Sequence, residues 1–305
     1  MELAISEIIE YLEKEKFEPK YKGLEDAYIV GFCALSSLKP KNLVWVKNLD
    51  NYDIEVIDEN LDLIIVSDKL YSGHKRLNNI SVSRPKAAYF SLINKFFAEK
   101  PAPFIAPNAV VLSCKIGEGV SIGYNCFIDR DVTVGARTVI RNNVVIQNGV
   151  SIGEDCIIES GAIIGSKGFG YYEDNHGQAK KVPDLGGIEI GNRVEIGANT
   201  CIERGTLENT VIADDVKIDD LCIIGHNTII ENECMIVAQS FLAGSVKLGK
   251  RAYVAPCAAI INQAEIGDNA YIGMGAVVTM NVPENKVVVG VPARVLRDNI
   301  PAEYK

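Results

Sequence analysis

Residues 116–165 read IGEGVSIGYNCFIDRDVTVGARTVIRNNVVIQNGVSIGEDCIIESGAIIG, and an aliphatic residue returns at every sixth position, from Ile116, Ile122 and Ile128 through Val134 to Ile164. Neither the 3.6-residue period of a helix nor the two-residue alternation of a strand produces this pattern. A fixed six-residue repeat marks a parallel β-helix, in which each hexad is one short strand and one turn. Three hexads close a coil of eighteen residues. The register returns at Ile190, Ile196 and Ile202, slips by four residues, and then holds from Ile212 to Val278. The aliphatic residue that opens each hexad is expected to point inward and stack on its counterpart one coil away. The small fifth position (Val120, Cys126, Val144, Ala162, Thr200, Cys222, Cys234) should also face inward, at a tight corner. The second position, often Gly, is expected to make the bend. Backbone bonds run between coils, so only the end coils have edges to cap.

With 305 residues the chain has room for two or three domains, and its 48% hydrophobic content is that of a soluble globular protein. A net charge of −9 disfavours nucleic acid and anionic membranes as partners. No apolar run reaches transmembrane length, and Met1 is followed by Glu2 and an amphipathic pattern. A cytoplasmic protein without membrane insertion is therefore expected. The eight cysteines show no CxxC spacing, and Cys114, Cys126, Cys156, Cys222 and Cys234 fall on the small inward position. Packing explains them, not disulfides or zinc. His74, His176 and His226 are the three histidines. They lack ligand spacing, so no metal is expected.

Residues 1–100 lack the repeat and read as a small α/β domain. Ile5, Ile8, Ile9 and Leu12 form a helical stripe, and apolar runs at Ala27–Phe32, Asn42–Val46 and Leu61–Val66 read as strands. A second helix is expected over Ala87–Ala98, after Pro85. Pro101-Ala102-Pro103 links to the β-helix, assigned to 101–280. Residues 281–305 form a tail, with Pro283 and Pro292 expected to stop the coil.

The long interruption, Ser166–Gly187, reads SKGFGYYEDNHGQAKKVPDLGG. A polar, aromatic loop leaving a regular solenoid is a common place for a binding site, which nominates Phe169, Gly170 and Tyr171. His226 stands third in the hexad Ile224-Gly225-His226-Asn227-Thr228-Ile229, a position that points outward. An outward histidine is either a solvated side chain or a base able to take a proton near neutral pH. Gly244 lies eighteen residues further on and should stack on His226, about 5 Å away. It is either a turn glycine or a backbone N–H offered to the oxyanion of an acyl transfer.

The repeat, the Gly168-Phe169-Gly170-Tyr171 loop, Ile202-Glu203-Arg204-Gly205, Gly225-His226-Asn227 and Ala243-Gly244-Ser245 together resemble the UDP-3-O-(3-hydroxyacyl)glucosamine N-acyltransferase family of lipid A (lipopolysaccharide) biosynthesis. The resemblance extends to the N-terminal unit through Val44-Trp45-Val46-Lys47-Asn48. It implies a left-handed parallel β-helix, a homotrimer, and clefts between subunits. It also implies roles for residues. His226 is the general base and Gly244 the oxyanion donor. Trp45, Asn48 and, with a one-residue shift, Tyr52 bind uridine. The family's second histidine falls at Gln263. Glutamine hydrogen-bonds but does not donate a proton as imidazolium does. In place of the family's C-terminal helices stands Gly290-Val291-Pro292-Ala293-Arg294. This resembles the tail of acetyl-CoA-dependent hexapeptide transferases and nominates Pro292, Ala293 and Arg294 for the acyl donor.

The resulting expectation is an N-acyltransferase without a tightly bound cofactor. It would move an acyl group from acyl-CoA or acyl carrier protein to a nucleotide-linked amino sugar. Two alternatives stand beside it: an acetyl-CoA-dependent sugar N- or O-acetyltransferase, favoured by the tail, and a catalytically silent hexapeptide scaffold subunit.

Overall fold

The computed structural model describes residues 2–73, 77–98 and 102–299, so His74 lies outside the described residues. The chain divides into two compact units, Met1–Pro101 and Ala102–Lys305.

In the first unit, five strands form one sheet in the order Lys20–Lys22, Asn78–Ser81, Ile64–Ser67, Asn42–Trp45, Gly31–Phe32. All pairs are parallel except the first. The central runs Leu-Val-Trp and Ile-Ile-Val are apolar at successive positions because both sheet faces are covered. Leu43, Ile64 and Val66 pack against Ile8 and Leu12 of the helix Ile5–Lys14 and Ala88 and Leu92 of the helix Pro85–Phe96. Val44, Val46 and Ile65 pack on the other face against Leu49, Ile54 and Ile57, from short 3-10 turns and their flanks. The edge strand Lys-Tyr-Lys carries too little apolar signal to be read in advance. Its lysines suit an edge that must not pair with another chain.

The second unit is a parallel β-solenoid with three faces. The first begins at Ser121–Ile122, the second at Val110–Val111 and the third at Lys115–Ile116. Ser121 pairs with Val139 and Ile122 with Ile140, eighteen residues on, as the repeat requires. The opening aliphatics are buried from Ile122 onward, with Ile116 in the first coil only half-buried, and the fifth positions are buried from Val120 to Cys234. Each fully buried isoleucine contributes roughly 1.5–3 kcal/mol of transfer free energy. Cys114, in the first coil, is only half-buried.

One expectation is corrected. Apart from Gly165, where the long insertion leaves the coil, the second-position glycines do not make the bend. The left-handed backbone falls on the fourth position of each turn, at Asn125, Asp131, Asn143, Asp155, Asn199 and Asn227 among others. Asn and Asp tolerate that region best after glycine. The second position is glycine because coils approach too closely for a side chain. A Cβ on Gly135 would lie 2.4 Å from the carbonyl carbon of Gly153 in the next coil.

A second difference concerns the end of the coil. It does not stop at Val278: Val282 bridges to Ile266, Lys286–Val289 pairs in parallel with Tyr271–Ile272, and Arg294–Asp298 folds back antiparallel. Pro283 and Pro292 are tolerated because they occupy turns, where no ladder N–H is needed.

Both interruptions leave through one corner. Ser166–Gly187 runs between Ile163–Ser166 on the second face and Ile188–Ile190 on the third. The four-residue slip lies between Cys201–Glu203 and Thr210–Ile212, on the same two faces.

Candidate functional site

His226 sits on that same corner, between Ile223–Ile224 and Ile229–Ile230. Its ring is half-buried. Two glycines abut it, one from the inserted loop and one from the next coil. A Cβ on Gly244 would lie 2.5 Å from His226 Nε2 and 2.6 Å from Cε1, and one on Gly168 would lie 2.6 Å from Cδ2. Some third-position amides are capped by side chains, as where Ala198 N–H donates to Asp220 Oδ1 at 2.6 Å and Lys250 N–H to Asp268 Oδ1 at 2.8 Å, and others, such as those of Ala136 and Asn232, are left free among the described residues. Gly244 N–H has no acceptor among the described residues. An unspent amide beside an imidazole is what an oxyanion donor requires.

Asp219 and Asp220 lie a few residues before His226 and are candidates to orient it. Neither does so. Asp219 Oδ2 accepts from Ala238 N–H, and Asp220 Oδ1 from Ala198 N–H. The orienting groups are Glu203 and Asn227. Glu203 Oε2 accepts the His226 backbone N–H at 3.0 Å. Asn227 Oδ1 accepts from Thr206 N–H at 2.7 Å, which holds its Nδ2 3.2 Å from His226 Nδ1. Nδ1 is thereby occupied, and Nε2 faces Gly244. Adding the four-residue slip to an eighteen-residue count sets Glu203 level with Gly225, so this partner was findable from register alone. Burial pushes the Glu203 carboxyl up from its ordinary value; the nearby His226 acts against this, Asp184 adds to it, and Lys181 opposes it.

The inserted loop folds into a hairpin, Tyr171–Glu173 against Ala179–Lys181. Lys181 Nζ donates to Gly168 O and lies 5.1 Å from the Tyr171 ring centroid. Phe169 and Tyr171 meet edge to face at 5.1 Å and are both exposed, while Gly170 is half-buried. The base of the loop is tied to the four-residue slip. Leu185 N–H donates to Thr206 O at 2.7 Å, and Arg204 Nε to Gly186 O at 2.8 Å. His176 lies exposed in the hairpin turn.

Gln263 is exposed on the same corner, and its N–H donates to Gly244 O at 3.0 Å. Pro292 and Arg294 are exposed, but Ala293 is fully buried in the last coil. Its methyl group packs in the core and cannot meet an acyl donor. In the first unit, Trp45 is half-buried against Tyr89 and Phe90, with ring centroids at 6.3 and 6.4 Å. Asn48 is exposed and caps a 3-10 turn by accepting from Asp50 N–H at 2.9 Å. Tyr52 packs with the cluster on the sheet face opposite to Trp45. Among the described residues no group of His, Cys, Asp and Glu could hold a metal, and no helix is long and apolar enough to cross a membrane.

The coil, with an imidazole and a free amide at one corner, defines an acyltransferase of the hexapeptide-repeat class. The family model for bacterial transferase hexapeptide (six repeats) matches residues 131–166 and 209–244, and that for the hexapeptide repeat of succinyl-transferase matches 259–280. The chain is 34% identical over 277 residues to the UDP-3-O-acylglucosamine N-acyltransferase of Coxiella burnetii, covering 84% of this chain and 80% of that one. It belongs to the UDP-3-O-acylglucosamine N-acyltransferase family. A probable mitochondrial member from Arabidopsis thaliana is 44% identical over 129 residues, spanning 42% of each chain. Among solved structures, the UDP-N-acetylglucosamine acyltransferase of Francisella novicida is 26% identical with a TM-score of 0.59, covering 64% of this chain and 71% of that one.

Proposed function

We propose that this protein transfers an acyl group from a thioester donor to the amine of a nucleotide-linked amino sugar, with His226 and Gly244 as the reacting pair. The observation that carries the assignment is the Gly244 N–H, free of partners and next to the His226 ring. The amine nitrogen attacks the thioester carbonyl carbon, and Gly244 N–H donates to the oxygen as it becomes negative. His226 takes the proton that the attacking nitrogen must lose. The tetrahedral intermediate collapses, the C–S bond breaks, and the thiolate leaves to be protonated. No acyl-enzyme forms, so the cysteines have no part in the reaction.

The donor is read as acyl-CoA or acyl carrier protein, with Pro292 and Arg294 near it and Gln263 among the groups facing the substrates. Trp45 and Asn48 are assigned to the nucleotide base, and Phe169, Gly170 and Tyr171 to the wall of the cleft; Tyr52, on the other face of the sheet from Trp45, is not assigned with them. The working form is read as a cytoplasmic homotrimer. Support for assembly comes from the second face. Its outward column includes Val110, Phe127, Val145, Ile163, Ile223 and Phe241, and most of these are substantially exposed. A continuous apolar stripe on a soluble protein marks an interface. Packing through this face would bring the His226 corner to a subunit seam.

The test offers acetyl-CoA and 3-hydroxyacyl carrier protein with UDP- and dTDP-linked amino sugars and follows free thiol. Turnover with an amino sugar that His226→Ala abolishes, in a variant with unchanged circular dichroism, is the expected result. Full activity in His226→Ala would refute the mechanism, and thiol release without sugar acylation would refute the function.

A further inference from the structure

The inserted loop reaches the His226 ring through a short span with little else to hold it. Ser166 O accepts from Arg204 N–H at 2.8 Å, and Gly170 O accepts from Val182 N–H at 2.9 Å. Between these anchors, residues 167–169 meet the histidine at Gly168, where a Cβ would lie 2.6 Å from Cδ2 and 3.0 Å from both Cβ and Cγ. Among the described residues, the one hydrogen bond made by this span runs from Lys181 Nζ to Gly168 O. The hairpin places that donor. Lys181 pairs with Tyr171 across the ladder, and its ammonium lies 5.1 Å from the Tyr171 ring centroid. Lys180, its neighbour in sequence, stays within the hairpin, donating to Gln178 Oε1 at 2.8 Å and pairing with Asp174 Oδ2 at 3.5 Å. Successive side chains of a strand leave on opposite faces, so the two lysines have different tasks.

We propose that Lys181 is a positioning residue: by holding the Gly168 carbonyl it seats Gly168 against the imidazole and keeps Nε2 beside the Gly244 N–H. The ring is then bounded on three sides. Gly168 adjoins Cδ2, Gly244 adjoins Nε2 and Cε1, and Asn227 Nδ2 lies 3.2 Å from Nδ1. Gly244 and Asn227 belong to the coil, whose register is fixed by core packing. Gly168 belongs to an insertion, and a side-chain ammonium fastens it. A charged donor binds a carbonyl more strongly than a neutral one, and an ammonium near an aromatic face gains further attraction. When the span lifts, the histidine regains other staggered rotamers and spends less time beside the amide. Alignment lost in this way lowers the rate and leaves substrate binding intact, because Lys181 acts through Gly168 and His226.

The test uses three variants and has two arms. Lys181→Met keeps a long apolar stem and removes the donor. Lys181→Arg keeps a cation able to reach the same carbonyl, and Lys180→Met removes an equal charge one residue away. In steady-state acyl transfer, Lys181→Met should lower kcat about tenfold, the order that a charged hydrogen bond is worth, with the sugar KM within about twofold. Lys181→Arg and Lys180→Met should keep kcat within about threefold of the parent. A raised KM at unchanged kcat would overturn the proposal in favour of direct substrate binding, and an equal loss in Lys180→Met would overturn it in favour of charge alone. This arm rests on the acyl-transfer reading; the second does not. Diethyl pyrocarbonate acylates a ring nitrogen of accessible histidines, and mass mapping of the full chain without substrates gives its rate at His226 relative to exposed His176. That ratio should rise severalfold in Lys181→Met and hold in Lys181→Arg. An unmoved ratio in Lys181→Met would overturn the positioning role. A parent that transfers no acyl group would sink the proposed function, while the labelling ratio would still decide whether Lys181 holds the ring.

Discussion

Gly244→Ala isolates the geometry on which the mechanism depends, because alanine retains the backbone N–H and adds only a methyl group. That methyl would lie 2.5 Å from His226 Nε2, 2.6 Å from Cε1 and 3.0 Å from Cδ2. Ordinary contact begins near 3.5 Å, so the overlap is about 1 Å. Holding the ring in place would cost about 1–3 kcal/mol of overpacking. Gly168 abuts the same ring from the loop, so the imidazole swings toward solvent and abandons its place beside the amide. A displacement of about 1 Å at a reacting group costs on the order of a hundredfold in rate, equal to about 2.7 kcal/mol of barrier. Steady-state acyl transfer should show kcat down by about that factor, with the sugar KM within about threefold. Thermal unfolding should move by only a few degrees, because the ring is half-buried and can relax outward. A Gly244→Ala enzyme with kcat within about threefold of the parent would show that the pairing of His226 with Gly244 is not used.

Three further outcomes follow from other parts of the molecule. Phe241→Asp puts a charge into the apolar column of the second face and, if the proposed assembly uses this face, should give a smaller particle by light scattering together with lost activity; an unchanged particle mass would place the interface elsewhere. Trp45→Ala should weaken UDP binding by ten- to a hundredfold in calorimetry, the usual worth of stacking a base on an aromatic ring, and an unchanged Kd would remove the first unit from nucleotide binding. Burial pushes the Cys222 thiol up to about 11 and Cys234 to about 12, so both stay protonated at pH 8. Iodoacetamide on the native protein should mark exposed Cys257 and spare those two, as mass mapping would reveal, whereas equal labelling would mean that the coil opens readily.

The solenoid was legible because the register of Ile116–Ile164 leaves one way to bury every sixth residue. The corner glycines were misread for a physical reason. Sequence displays glycine at the second position but not why, and close approach between coils mimics a need for unusual dihedrals. The last coil was missed because Ile272 pairs with Val288 at sixteen residues, so a strict count runs out at Val278. His226 and Gly244 could be paired by counting because no interruption falls between them. Glu203 follows from the same count once the four-residue slip is added. Asn227 does not, because its role depends on the amide that its side chain caps, which hexad arithmetic does not carry. Asp219 and Asp220 show the converse: close to His226 in sequence, they are committed to capping other coils.

In this rod, height along the axis and angle around it are set separately. Ile152 pairs with Ile190 across 38 residues, and Ile190 with Ile212 across 22, yet each pair stacks as though eighteen lay between them. Material added at the shared corner bulges sideways and leaves both coordinates untouched. Whole coils alter height alone. Removing residues 121–138, a complete turn that holds none of the reacting groups, should shorten the rod by one rung of about 4.8 Å and leave His226 beneath Gly244. Removing seventeen or nineteen would keep the alignment only where a corner absorbs the odd residue, as the sixteen residues between Ile272 and Val288 show. Catalytic alignment here behaves like the pitch of a screw thread, tolerant of any number of full turns, with odd residues confined to the corners.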